Sequence, residues 1–405
     1  MSELDGWGGA DFVLAADRLD TPDVVEAADP GDMLRQVASA AAQVRTALRS
    51  CAETDLSAFT ADARPRAIVV AGTGASGLAG EMLNAMAGLS SPVQVVVSPA
   101  ERLPGWVGAA DAVIAVSCSG NTPETLAIAT QAARRGCRLA GVGAEGSALH
   151  RIAEQARAPF VPVVPTGLPR SMLWSAAVPL LVIAEQMGVA RIGSDVYELA
   201  AIRLEEVSHQ CRPASESFVN PGKSLALDLV GVLPMVWGTS ALSEVAARRF
   251  TSQLLQNAKY PAICGVLPDA AHGQVAAFDG PFAPRSSRLS AQEPGSSPDE
   301  LADLPGWDLD YEETEQASGF TALRLILIAD SGEDQRVSAQ RAAVTELAGQ
   351  RGVGISELGM DGEHPLVRLA GVIQLTDYAS VYLAIASGID PGQTVAIRDL
   401  RTRIE

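Results

Sequence analysis

The stretch Val113–Leu126, VIAVSCSGNTPETL, constrains this chain more than any other. An apolar run from Val113 to Val116 stops at Ser117-Cys118-Ser119-Gly120-Asn121-Thr122. A helical pattern follows at once, with Pro123 at its first position and Glu124 in its first turn. That order spells a strand, a tight polar loop and a helix N-terminus. The loop brings the hydroxyls of Ser117, Ser119 and Thr122, and the amides of Gly120 and Asn121, to the positive end of a helix dipole. Such a setting suits a small dianion, phosphate above all. The loop carries no Lys or Arg, so binding there rests on neutral donors and the dipole. An ordinary Ser/Gly/Asn/Thr helix cap is the plainer reading. Three hydroxyls at the end of a buried strand favour the anion site.

The same alternation runs along much of the chain. Apolar strands are expected at 67–71, 93–97, 112–116, 139–142 and 160–164, with helices between them. A second series is expected at 232–237, 262–266, 322–329 and 353–357, followed by a long C-terminal helix from about Val372. Strands alternating with helices imply α/β architecture, a mainly parallel sheet flanked by helices in each half. The second half has no second SxSGNT loop. The expected division is an irregular Asp/Gly/Pro-rich arm over 1–30, a first domain over 31–215 and a second over 216–405. A Pro/Ser/acid-rich surface insertion is expected at about 283–318. Ligands in such sheets sit at the carboxyl ends of strands. The loop Gly72–Gly80 lies at such an end, and so does Ser117–Thr122.

Composition narrows the partners. The 405 residues carry a net charge of −18 and only two lysines, Lys223 and Lys259. An acidic chain with no basic cluster argues against nucleic acid and anionic membranes as partners, though a local loop can still hold a phosphate. Five scattered cysteines form no CxxC, and four distant histidines give no metal-ligand spacing. No metal or cofactor is implied, and a reducing, cytoplasmic setting is expected. The N-terminus lacks a signal peptide's basic and apolar regions. No apolar run reaches the ~20 residues of a membrane helix.

Gly72–Gly77, GTGASG, also fits the GxGxxG of dinucleotide-binding turns. A dinucleotide fold usually places an acid at the end of the second strand to hold the ribose. Here that strand ends in Ser98-Pro99, with Glu101 beyond the proline, so a nucleotide-dependent oxidoreductase is disfavoured.

SCSGNTPET resembles the phosphate loop SxSGNTxET of sugar isomerase (SIS) domains. GTGASGLAGE (72–81), GLPR (167–170), QLLQNAKYPA (253–262), PDAAHGQV (268–275) and TDYASVYLAIASGIDP (376–391) follow in the order seen in bifunctional phosphoglucose/phosphomannose isomerases. The resemblance covers most of residues 65–400. It implies two SIS-type doubly wound domains and a homodimer acting on a phosphorylated hexose. It implies that Gly74 and Ser76 contact the sugar phosphate, with Ala75 where the family has a second glycine. It brings Arg170 into the site as a partner for substrate oxygens, and His272 as a ring-opening group reaching the partner subunit's site. At Gln256 the chain departs from the family, whose NENAK block carries a glutamate there as base. A carboxylate can move a carbon-bound proton between neighbouring carbons, and a carboxamide cannot. Arg401, in Asp399-Leu400-Arg401, stands where the family has a lysine; it keeps the charge but titrates poorly. Sugar-phosphate binding with isomerase activity weak or lost is therefore the leading expectation, and an active isomerase with a relocated base the alternative.

Overall fold

A computed structural model describes residues 9–61, 64–88, 91–284 and 322–404. Two parallel sheets organise it. The first contains β1 (Ala67–Ala71), β2 (Gln94–Ser98), β3 (Ala112–Ser117), β4 (Arg138–Gly143) and β5 (Phe160–Pro162), in the order β2-β1-β3-β4-β5. The second contains β6 (Val232–Gly238), β7 (Ile263–Val266), β8 (Ala322–Asp330) and β9 (Gly354–Met360), in the order β7-β6-β8-β9. Every strand pair is parallel. Every residue of β1 and β3 is buried. That is why they read as unbroken apolar runs: helices cover both faces of a parallel sheet, so no face is left for polar side chains.

In each sheet the chain leaves its first strand toward one edge and returns toward the other. The crevices at these reversals lie between β1 and β3 and between β6 and β8. Both polar loops read from the sequence border the first crevice. The layer between the sheets is helical. Its axis is the helix Pro365–Ala386, packed against Ser194–Gln210, Pro221–Asp228 and Ala241–Gln253. At 22 residues this helix is long and apolar enough to cross a membrane, and it starts seven residues before the expected Val372. Because 94% of its apolar window is buried inside the fold, it is a core helix.

The expected irregular arm is corrected by the structure. Gly9–Asp20 and Pro22–Ala28 are helices. Ala15, Leu19 and Val25 are buried, Arg18 Nη1 donates to Ala386 O at 2.9 Å, and Lys223 Nζ donates to Leu19 O at 2.6 Å. Docking of that apolar stripe overrides the Asp/Gly/Pro composition. Of the expected insertion only Ala283 and Pro284 are described, and Ala283 is buried. Residues 285–318 lie outside the described residues.

Candidate functional site

The SCSGNT loop is built by its own side chains. Ser117 Oγ lies 2.8 Å from Thr122 Oγ1 and 3.4 Å from Ser119 Oγ, and it accepts from Gly120 N at 3.1 Å. Asn121 N donates to Ser119 Oγ at 3.3 Å, and Asn121 Oδ1 accepts from Ala148 N at 3.1 Å, tying the loop to the next helix. Gly120 has φ +67°, and a Cβ there would stand 2.0 Å from Ser147 Oγ. Only glycine lets the chain pass at that point. Thr122 caps the helix Pro123–Arg134 without a side-chain capping bond, so the first amides of that helix keep their donors. The three predicted hydroxyls thus form one cluster at a helix N-terminus.

The Gly-rich loop comes alongside it. Gly74, with φ +57°, caps the helix Ala75–Ala87, again without a side-chain bond. A Cβ on Gly77 would meet Gly72 O at 2.9 Å, so the turn closes on itself through its glycines. Ser76 is buried within hydrogen-bonding reach of the Cys118 thiol, so the two loops touch. Burial pushes the Cys118 thiol upward, and Ser76 only partly offsets it. Cys118 is therefore a filler and not a nucleophile.

Arg170 is buried and fully anchored on the second half of the chain. Its Nε donates to Asn257 Oδ1 at 2.8 Å, and its Nη2 donates to Pro391 O at 2.6 Å and Gly392 O at 2.8 Å. Burial, with Arg249 nearby, lowers its pKa. Behind it Arg249 pairs in bidentate fashion with the buried Asp377, at 2.9 and 2.7 Å, and donates to Arg170 O at 2.7 Å. Asn257 Nδ2 donates to Ser380 Oγ at 2.9 Å. A sequence scan for reactive residues has no means of finding this network, because its members lie on three separate segments.

Gln256 is half-buried in a π-turn, Leu254–Ala258, that follows the helix Ala241–Gln253. Single π-turns commonly mark functional positions. Its Nε2 donates to Ser252 Oγ at 2.9 Å. Gln256 lines a cleft of about 360 Å3 with Lys259, Asp390, Gln393 and the apolar start of the helix Val395–Ile404. Lys259 Nζ donates to Asn257 O at 3.0 Å and to Asp390 O at 2.7 Å; burial, then Arg170, lowers its pKa.

The other two predicted residues stand apart. Arg401 is exposed, one turn beyond the cleft-lining Ile397. His272 is exposed on the short helix Asp269–Gly273 and has no recorded contact with the hydroxyl loop of its own chain among the described residues.

Residues 218–404 match the bacterial phospho-glucose isomerase C-terminal SIS domain. A bifunctional phosphoglucose/phosphomannose isomerase of Caldicellulosiruptor bescii is 26% identical over 340 residues, 83% of this chain and 89% of that protein. The enzyme of the same name from Aquifex aeolicus is 24% identical over 344 residues, 84% of this chain and 91% of that one. The second half of the chain thus matches a SIS domain of that type, and most of the chain is similar to bifunctional phosphoglucose/phosphomannose isomerases. The fold agrees: a glucose-6-phosphate isomerase from Chlamydia trachomatis superposes with a TM-score of 0.65 at 13% identity, over 98% of this chain and 85% of that one. This chain carries a hydroxyl loop, a buried arginine and an amide at position 256.

Proposed function

We propose that this protein binds a phosphorylated hexose in the crevice above β1 and β3, and interconverts its aldose and ketose forms only weakly or not at all. The observation that carries the reading is Gln256, an amide in the cleft where the family's glutamate base belongs by resemblance. The phosphate sits against the hydroxyls of Ser117, Ser119 and Thr122 and the first amides of the helices that follow Gly74 and Thr122, two N-termini without side-chain caps; the amides of Gly120 and Asn121, expected to help, are instead spent on Ser117 and Ser119. Arg170 has only Nη1 left for sugar oxygens, since its Nε and Nη2 are held by Asn257, Pro391 and Gly392. General base catalysis contributes about 10²–10⁴-fold, so its loss leaves turnover far below the ordinary enzyme range. In a coupled assay with purified protein, glucose 6-phosphate and fructose 6-phosphate should interconvert very slowly or not at all. Gln256→Glu should raise turnover at least tenfold, with a smaller effect on affinity measured by calorimetry. Turnover at ordinary isomerase rates in the unaltered protein sinks the weak-activity reading.

The functional unit in this reading is a homodimer. His272 projects from an exposed helix, and Leu400 and Ile404 stand 59% and 75% exposed beside Arg401 on a helix that buries none of its residues. In such a dimer, as the resemblance implies, His272 of one subunit reaches the crevice of the other. Light scattering that shows only monomer at micromolar concentration removes this element. The division into domains at 31–215 and 216–405 belongs to the same proposal, supported by one sheet on each side of the boundary. So does a cytoplasmic setting, supported by five free cysteines.

A further inference from the structure

We propose that the ligand is an amino-hexose phosphate, with its phosphate at the helix N-terminus after Gly74 and its ammonium on the Glu81 carboxylate. The inference rests on the sugar-phosphate reading above and names the substrate class within it. The Gly-rich turn is also the rim of a larger space. Gly72, Thr73, Gly74 and Gly77 line an open cleft of about 630 Å3, with Leu78 and Glu81 deeper along the same wall. Positions 74, 77, 78 and 81 recur at helical spacing, so they share one face at the start of the helix Ala75–Ala87. Glu81 therefore stands nearly two turns from the uncapped N-terminus, about 9 Å along the axis. A hexose chain extended from its 6-phosphate spans that separation.

The opposite wall comes from the second half of the chain: Arg248 and Thr251 on the helix Ala241–Gln253, and Cys264 on β7. The charges across this cleft do not balance. Arg248 spends its guanidinium on Glu244, donating from Nε at 3.1 Å and from Nη2 at 2.9 Å to Oε1. Its Nε stands 3.9 Å from Glu81 Oε2, too far for a hydrogen bond. The Glu81 carboxylate has no hydrogen-bond donor among the described residues. One guanidinium thus serves two carboxylates, and one negative charge is left over at the cleft. Burial pushes the Glu81 carboxyl up, Arg248 opposes this, and Glu244 adds to it. An ammonium on the ligand supplies both the missing donor and the missing charge, and a neutral hydroxyl supplies only the donor. The cleft therefore has a helix dipole that favours an anion at one end and a surplus carboxylate at the other. A 2-amino-2-deoxyhexose 6-phosphate carries the complementary pair, phosphate at one end and ammonium near the other.

The test is calorimetry on the full-length protein at neutral pH with glucosamine 6-phosphate, glucose 6-phosphate and inorganic phosphate. The two sugars differ only at C2, ammonium against hydroxyl. Glucosamine 6-phosphate should bind roughly tenfold or more tightly than glucose 6-phosphate. Glu81→Gln keeps the size of the side chain and removes its charge. It should shrink that preference to about threefold or less, while affinity for glucose 6-phosphate and for inorganic phosphate stays within about threefold. Arg248→Gln, on the far wall, should widen the preference, because both carboxylates then lack their guanidinium; it decides the matter if Glu81→Gln does not fold. Equal affinity for the two sugars in the unaltered protein overturns the ammonium subsite and leaves the phosphate seat standing. A preference that survives Glu81→Gln, or that narrows in Arg248→Gln, overturns Glu81 as its source. Absence of binding by all three ligands overturns the sugar-phosphate reading itself, and the subsite with it.

Discussion

Above β1 and β3, the first sheet ends in hydroxyls and backbone amides; above β6 and β8, the second ends in carboxylates and arginines. The loops correspond closely. Ser331-Gly332-Glu333-Asp334 stands just ahead of the helix Gln335–Gln350, as Ser119-Gly120-Asn121-Thr122 stands ahead of Pro123–Arg134. In the second loop Asp334 caps its helix directly, accepting from Arg336 N at 2.8 Å. Asp330 accepts from Ser240 Oγ at 2.7 Å and pairs with Arg368 at 2.8 Å. Glu333 pairs with Arg341 at 2.8 Å. The second crevice supplies its own anions, and its cations already have partners. The first presents hydroxyls at its Ser117–Thr122 loop, with Glu81 and Arg248 beside its Gly-rich turn. In the proposed reading, one scaffold serves as a receptor in one half and a strut in the other, according to whether the side chains at the strand ends are hydroxyls or carboxylates.

This contrast predicts that damage to the second crevice costs stability and damage to the first costs binding. The largest effect is expected at Asp330→Ala. Losing the carboxylate strands Arg368 in a largely buried setting, and breaking such a pair costs about 3 kcal/mol or more. Chemical denaturation should show that loss, while affinity for fructose 6-phosphate stays unchanged in the folded fraction. A drop in affinity as large as the drop in stability would erase the distinction between the two crevices. Gly120→Ala comes next. The new Cβ collides with Ser147 and must adopt a positive φ, so the loop should open and binding should weaken about a hundredfold, or ~2.7 kcal/mol. Calorimetry against inorganic phosphate and the hexose phosphate reads this directly.

Removing the hydroxyls of Ser119 and Thr122 together, both to Ala, should weaken sugar-phosphate binding more than tenfold, or roughly 1.4 kcal/mol in total. The denaturation midpoint should hardly move, because these hydroxyls bond only within the loop, to Ser117 Oγ and Asn121 N. Unchanged affinity in that double variant would take the phosphate away from this loop. The smallest effect is one of pH. Burial raises the Glu333 carboxyl, but hydrogen bonds from Arg341, Thr239 and Ser338, with the charge of Arg341, together outweigh it and hold it below the usual range. A depressed folded-state value stabilises the protein above the unfolded value near 4.5 and loses that contribution as pH falls through the folded value. Stability should therefore decline on acidification below about pH 4.5, and Glu333→Gln should flatten that limb by under ~1 kcal/mol. An acid limb of the same slope in the variant would assign it to other carboxylates.

What the sequence determined by itself is local. The hydroxyl loop, the Gly-rich turn and the alternating elements are short-range patterns, because a strand end, a few polar residues and a helix start are written within about ten consecutive positions. Gln256 was also legible, since its chemistry needs no coordinates. The N-terminal helices were not, because their apolar stripe gains its energy only by docking on Pro365–Ala386, and Gly and Asp mask it locally. The surroundings of Arg170 were decided by tertiary structure alone. Its hydrogen-bond partners lie 87 and 221 residues away, and only the packing of the second half against the first brings them to one point. The same holds for Asp390, whose Gly-Ile-Asp-Pro turn closes the last of the blocks read from the sequence. It becomes a neighbour of Gln256 only because Lys259 and Arg170 hold the carbonyls of that turn against the π-turn where Gln256 sits.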